Sequence, residues 1–286
     1  MSRKLRVLFV SPEASPFAKS GDLADVARAL PASLAKLGVE ISLALPKHRR
    51  PKIEALTMEI VVPELVVPLG DERIKASVYK AETWGYPVYF IESPKYFYRD
   101  EIYGSSKEEY LDNDARFTYF SRAVLEFLLK AKIVVDIIHC NDWPTALIPL
   151  FLKTHYAQKS QFRDTATVLS LHSASHQGEF PPESLALTGL NWDFFTPDQL
   201  ALNGKFNFLK AGLLFSDAFN GVKAPWSHDL TEGDSGQGFE VILGRRRDVT
   251  FTISNGMDDR TWELAARKYI ELYAKALQIR RGGQSD

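Results

Sequence analysis

Residues 5–10 form a compact apolar run in which Leu5, Val7, Leu8, Phe9 and Val10 are interrupted only by Arg6, and the run ends at Ser11-Pro12. A short apolar segment bounded by turn residues is the pattern of a strand buried on both faces of a parallel sheet. The polar stretch 11–22 then leads into Leu23, Val26, Ala27, Leu30, Leu34 and Leu37, whose spacings draw one helical face closed by Gly38. A second strand is predicted over 39–45, stopped by Pro46. Strand, loop, helix and strand make a βαβ unit, and a right-handed crossover places the loop at the carboxyl edge of the sheet.

Between 57 and 92 the runs shorten, as at 74–79 and 88–91 around Trp84-Gly85-Tyr86-Pro87, and predict antiparallel hairpins inserted beside the core. Alternation then resumes with a helix over 113–130, a strand over 134–139, and a helix over 144–154 with Pro144 in its first turn. A strand over 166–172, a helix over 204–215 and short strands at 218–222 and 249–253 follow. The stretch 262–279 sets Trp262, Ala265, Ala266, Tyr269, Leu272, Tyr273, Ala276 and Leu277 on one side of a helix. The expected class is α/β: a doubly wound, Rossmann-like parallel sheet with an inserted β-hairpin region. It is organised as one domain over 1–258, a closing helix over 259–280 and a disordered tail over 281–286.

Composition narrows the function classes. Lysine plus arginine number 35 against 36 acidic residues, so no global field draws the chain to nucleic acid or an anionic membrane, and neither is expected as a partner. Cys140 is the single cysteine, which excludes an internal disulfide and a multi-thiolate zinc site and fits a reducing, cytoplasmic setting. The first apolar run is too short for a secretory core, and no 18 consecutive apolar residues predict a membrane span.

In such a sheet ligands bind outside the carboxyl ends of the strands, so the polar residues after each strand carry the candidate chemistry. They are Lys19-Ser20-Gly21-Asp22, Asn141-Asp142-Trp143, His172-Ser173 with His176, and Ser254-Asn255-Gly256. From the residues alone, Asp22 and Asp142 read equally well as helix N-caps and Asn255-Gly256 as a plain turn. His172 and His176 share a face only in a helix, so no metal is expected, and without a P-loop or dinucleotide fingerprint no cofactor is expected. Arg245-Arg246-Arg247 reads as a solvated helix end.

Taken in order, these clusters resemble a known family. Ser11-Pro12-Glu13 followed by Lys19-Ser20-Gly21-Asp22-Leu23-Ala24-Asp25-Val26 resembles the Lys-Thr-Gly-Gly-Leu-Ala-Asp-Val donor loop of glycogen and starch synthases. Collinear matches follow at Ile102-Tyr103-Gly104, Asp112-Asn113-Asp114-Ala115-Arg116-Phe117, Ile137-Ile138-His139-Cys140-Asn141-Asp142-Trp143, Asn207-Phe208-Leu209-Lys210-Ala211-Gly212 and Ser254-Asn255-Gly256. The resemblance implies one half of a two-domain glycosyltransferase B-type fold that transfers glucose from ADP-glucose to an α-1,4-glucan in the cleft between its domains. It implies His172 and Asp142 as catalytic residues, and Lys19, Gly21, Tyr103, Asn255 and Gly256 as substrate-binding residues. Lys19 would neutralise the donor phosphates and Gly21 would let backbone N–H groups approach them.

The chain departs from the family pattern where Asp22 replaces a second glycine, Ser173 an asparagine and His176 an aromatic residue. Two further stretches differ, Val222-Lys223-Ala224-Pro225-Trp226 and Gly236-Gln237-Gly238-Phe239. Ala265-Ala266-Arg267-Lys268-Tyr269-Ile270-Glu271-Leu272-Tyr273 resembles the family's closing helix, which lies beyond the second domain. That juxtaposition implies that a whole domain, roughly 100 to 200 residues, is absent from the interior. The expectation is a domain inactive by itself that acts as a glucan-binding or regulatory module. Its expected partners are an α-glucan or malto-oligosaccharide, ADP-glucose weakly, and a full-length synthase or a second copy of itself. The alternative is an active glucosyltransferase completed by a partner chain or dimer.

Overall fold

The apolar runs become neighbouring strands of one nine-stranded sheet in the structure, a computed structural model that describes residues 3–105, 108–222 and 238–282. β1 (Arg6–Val10), α1 (Leu23–Lys36) and β2 (Glu40–Pro46) form the expected βαβ unit, and β1 pairs parallel with β2. The one-turn helix α2 (Pro51–Glu54) leads to β3 (Glu59–Leu69), β4 (Glu72–Thr83) and β5 (Tyr86–Glu92), and a second single turn, α3 (Pro94–Phe97), follows. The strands β3, β4 and β5 pair antiparallel as predicted, but β5 also lies parallel against β2. The hairpins therefore extend the main sheet instead of decorating it. Val88, Phe90 and Ile91 are fully buried, which requires cover on both faces of that strand.

α4 (Asn113–Lys130), β6 (Ile137–Asn141), α5 (Leu147–Lys153) and β7 (Ala166–Leu171) continue the alternation. The helix expected over 144–154 is broken into a 3-10 turn, Trp143–Thr145, and α5. Pro149 explains the break, because it has no N–H to donate and is accommodated in the first turn of the restarted helix. The helix expected over 204–215 begins only at α6 (Phe208–Phe215). Residues ahead of it belong to a small antiparallel sheet of β8 (Glu179–Phe180), β9 (Ala201–Leu202) and β10 (Lys205–Asn207). Asn203 and Gly204 both hold positive φ, the geometry that turns β9 into β10. Asn207 then caps α6 by accepting from the Lys210 N–H at 2.8 Å.

β11 (Ala218–Gly221), α7 (Glu240–Arg245), β12 (Thr250–Thr252) and α8 (Asp259–Gly282) complete the chain. The predicted tail is helical through Gly282, and its remaining residues 283–286, like 223–237, lie outside the described residues. The strand order β12-β11-β7-β6-β1-β2-β5-β4-β3 reverses direction between β1 and β6, with β2 on one side of β1 and the later strands on the other. That switch point opens a crevice at the carboxyl edge, where such sheets bind ligands.

α8 packs against α1 and crosses β7 and β11. Its buried stripe carries a polar seam. Tyr273 Oη lies 2.7 Å from His139 Nδ1, His139 Nε2 lies 2.8 Å from Ser170 Oγ, and Tyr269 Oη accepts from Asn220 Nδ2 at 2.8 Å. Burial holds His139 neutral by pushing its pKa well below the usual imidazole range. Arg246 corrects the reading of a solvated arginine cluster: its guanidinium donates to the carbonyls of Leu213, Leu214 and Ser216, closing the end of α6.

Candidate functional site

The first turn after β1 and the turns after β6 and β7 converge on one cavity of about 720 Å³ at the switch point. Four of the predicted site residues line it: Gly21, Tyr103, Asp142 and His172. Each comes from a segment that leaves the sheet or packs over its edge, which is why residues more than a hundred positions apart meet.

Asp142 follows β6 with φ 53°, a left-handed conformation that strains a non-glycine residue. It occupies an N-cap position, yet its carboxylate makes no capping bond. Instead Oδ1 accepts from the backbone N–H groups of His172 at 2.7 Å and Ser173 at 3.4 Å, tying the end of β6 to the loop after β7. Burial, outweighing these two bonds, pushes its pKa up to about 7, and the nearby Glu13 charge adds to the rise. His172 lies beside it. Asn141 Nδ2 donates to the Val10 carbonyl at 3.0 Å, so Asn141 Oδ1 is left to accept from His172 Nε2–H at 3.0 Å. The other ring nitrogen, Nδ1, is buried and without a protein partner. Burial lowers the His172 pKa to about 3, so the ring stays uncharged at the wall of the cavity.

Aromatic packing sets the floor. Trp143 makes edge contacts with Phe117 at 4.8 Å and Phe180 at 5.7 Å, and Tyr103 lies 6.0 Å from it. Gly178 holds φ +65°, and a Cβ there would come within 2.6 Å of the Trp143 ring, so only glycine allows this close approach.

Asp22, the other candidate cap, also makes no side-chain capping bond, although its carbonyl accepts from the N–H groups of Asp25 and Val26. Lys19 does not line the cavity. Its ammonium pairs with Asp25 in the first turn of α1 at 2.6 Å, and both side chains are exposed. Asn255 and Gly256 are likewise outside the cavity, in the connection between β12 and α8, where a Cβ on Gly256 would come within 2.5 Å of Trp262. His176 lines the cavity, but no group of three or more metal-ligating side chains occurs among the described residues.

The sequence reading gave no role to Glu13, Glu108 or Glu109, which also line the cavity. With Asp22 and Asp142 they make five carboxylates, and no lysine or arginine joins them among the described lining residues. Glu13 is 3% exposed and accepts from the Ser20 and Gly21 N–H groups, the latter at 3.2 Å. Its place in Ser11-Pro12-Glu13, directly after β1, was the available signal.

Comparison with known proteins places this geometry. Residues 6–245 match the family described as the starch synthase catalytic domain. Glycogen synthase 2 of Geobacter sulfurreducens is 37% identical over 266 residues, covering 93% of this chain and 55% of that protein. Glycogen synthase of Moorella thermoacetica is 35% identical over 285 residues, covering 100% of this chain and 57% of that protein. The catalytic domain of starch synthase IV from Arabidopsis thaliana, solved bound to ADP and acarbose, superposes with a TM-score of 0.81 at 27% identity, over 91% of this chain and 53% of that one. The chain thus spans about half the length of the relatives it matches.

Proposed function

The chain belongs to the glycogen and starch synthase family of glycosyltransferases, and from that premise we propose that its cavity binds the α-1,4-glucan side of the reaction and that the chain alone does not transfer glucose. The observation that carries this reading is the make-up of the cavity wall: five carboxyl groups, three of them exposed, and no lysine or arginine among the described lining residues. A nucleoside diphosphate needs cations or free N–H groups, and like charges oppose it. Sugar hydroxyls suit these walls. Carboxyl oxygens accept hydrogen bonds from them, while Trp143 and Tyr103 offer aromatic surface to a pyranose face.

In this reading Asp142 and His172 hold hydroxyls of the bound sugar, and Tyr103 lines the same subsite. Lys19 contributes no charge to the cavity while it pairs with Asp25. Transfer requires neutralising a departing diphosphate, and lacking that stabilisation costs on the order of 10³-fold in rate. A glucan-binding module, alone or attached to a complete synthase, is the function that this half-site supports.

Titration calorimetry of the 286-residue chain with maltotetraose, ADP and ADP-glucose tests the reading, alongside labelled glucose transfer to glycogen. Maltotetraose binding with neither nucleotide binding nor transfer is expected. Transfer at a constant specific rate overturns the proposal, whereas a specific rate that rises with chain concentration assigns activity to a dimer that completes the cleft.

A further inference from the structure

The first turn of α4 lies behind the segment that carries Tyr103 into the cavity. Arg116 is fully buried there, and its guanidinium faces oxygen dipoles instead of a carboxylate. Nε donates to the Tyr96 carbonyl at 2.8 Å, and Nη1 to the Ile102 carbonyl at 2.8 Å and to Asn113 Oδ1 at 2.6 Å. Asp112, at the N-cap of α4, pairs with Arg99. Burial, with Arg99 nearby, lowers the Arg116 pKa to about 10, which leaves the side chain charged at neutral pH. Arginine offers donors only, so the Asn113 atom that faces it is the oxygen, and the amide nitrogen is turned to the Tyr103 carbonyl, to which it donates at 2.8 Å. The same carbonyl accepts from the Tyr110 N–H at 2.9 Å. Gly104 follows with φ +137°, where a Cβ would run into the Glu108 carbonyl, so the chain doubles back tightly after Tyr103.

We propose that Asn113 and Arg116 are positioning residues of the sugar-binding cavity: Arg116 fixes the Asn113 amide, the amide clamps the Tyr103 backbone, and the clamp sets where the Tyr103 ring stands relative to Trp143. The proposal rests on the glucan reading of the cavity and adds two residues that do not line it but act on it through Tyr103. A buried guanidinium without a carboxylate costs free energy that an apolar side chain in its place would not. What it supplies is a rigid fork of donors, aimed here at the backbone on either side of the turn that leads to Tyr103. The Tyr103 and Trp143 rings lie 6.0 Å apart, and Phe117, the residue after Arg116, makes the edge contact with Trp143. One turn of α4 therefore supports both aromatic walls, and a pyranose meets both only while their spacing is held to within about 0.5 Å.

Asn113→Asp separates positioning from packing. It keeps the shape and the contact with Arg116, but sets an oxygen against the Tyr103 carbonyl and against Glu109 Oε2, which lies 3.5 Å from the amide nitrogen. Asn113→Ala, which removes the clamp without adding charge, is the second variant. Maltotetraose affinity is measured by titration calorimetry for each variant in the full chain, with Tyr103 present and with Tyr103→Ala. A Kd raised about tenfold is expected with Tyr103 present, and a change of no more than about twofold in the Tyr103→Ala background, because the clamp then has no ring to place. Amide exchange at Tyr110, whose N–H shares the Tyr103 carbonyl, should rise at least about tenfold in the same variants while that of Leu169 in β7 is unchanged. Equal losses of affinity in the two backgrounds, unaltered exchange at Tyr110, or loss of folding by circular dichroism in both variants overturns the proposal, since each describes a merely structural pair. Failure of the wild-type chain to bind maltotetraose counts against the glucan reading instead, and the exchange comparison still decides whether Asn113 clamps Tyr103.

Discussion

Asp142 joins backbone strain to charge at one position. Its carboxyl is neutral over a wider range than an ordinary aspartate because burial raises its folded-state pKa to about 7. The unfolded chain releases that proton near the ordinary value of about 3.9. The folded state therefore holds the proton more tightly, so this contribution to stability is fully present below about pH 4 and is lost as pH rises through 7. Asp142→Asn keeps an oxygen for the His172 and Ser173 N–H groups and removes the ionisation. Relative to wild type it gains roughly 2–3 kcal/mol between pH 5 and pH 8.5. Urea unfolding at the two pH values measures this, and a difference independent of pH would mean that the carboxylate is ionised in the fold throughout. The residues legible in the sequence were those placed directly after strands, Asp142 and His172 above all, because strand ends are visible in the apolar pattern. Glu13 was not assigned, because its partners are backbone N–H groups that no side-chain motif displays. Lys19 was expected at the cavity because its local pairing with Asp25 depends on the first turn of α1 bringing the two together.

At the scale of elements, the alternation of apolar runs revealed the central strands and the stripe of α8, but not where neighbouring elements of different kind abut. The segment 204–215 carries a helical spacing that runs back into β10, and only the capping bond of Asn207 marks the boundary. The stripe of α8 likewise looked uniformly apolar, although its two tyrosines present hydroxyls to a polar seam in the middle of the sheet. That seam makes docking of α8 specific in register, since shifting the helix would strand buried donors and acceptors. Tyr269→Phe leaves the Asn220 amide without its partner and should cost about 1–3 kcal/mol. Tyr273→Phe removes the other end of a continuous path through His139 and Ser170. The double variant should depart from additivity by at least about 0.5 kcal/mol in denaturant unfolding. Strict additivity would show that the two tyrosines act as separate contacts.

For the whole molecule the question is whether 1–258 is a domain to which α8 is appended, as the sequence pattern suggested, or whether α8 is one of its layers. The packing argues for the second. Ala265, Ala266, Tyr269, Leu272, Tyr273 and Ala276 are buried in the same core as β1, β6 and β7, and α8 touches strands on one side of the switch point and α1 on the other. A chain cut after Asp258 would uncover that apolar face together with His139, Ser170 and Asn220, each of which would lose a hydrogen-bond partner. Losing two tyrosine side chains and their hydrogen bonds already exceeds about 5 kcal/mol, the lower end of domain stability. The 1–258 chain is therefore expected to be insoluble, or to unfold without a cooperative transition, where the full chain unfolds in one. Thermal unfolding followed by circular dichroism distinguishes the cases. A cooperative 1–258 chain with a midpoint within about 5 °C of the full chain, a shift on the order of 1–2 kcal/mol at this size, would make α8 an accessory. The maltotetraose site would then have to be explained by the sheet and its loops alone.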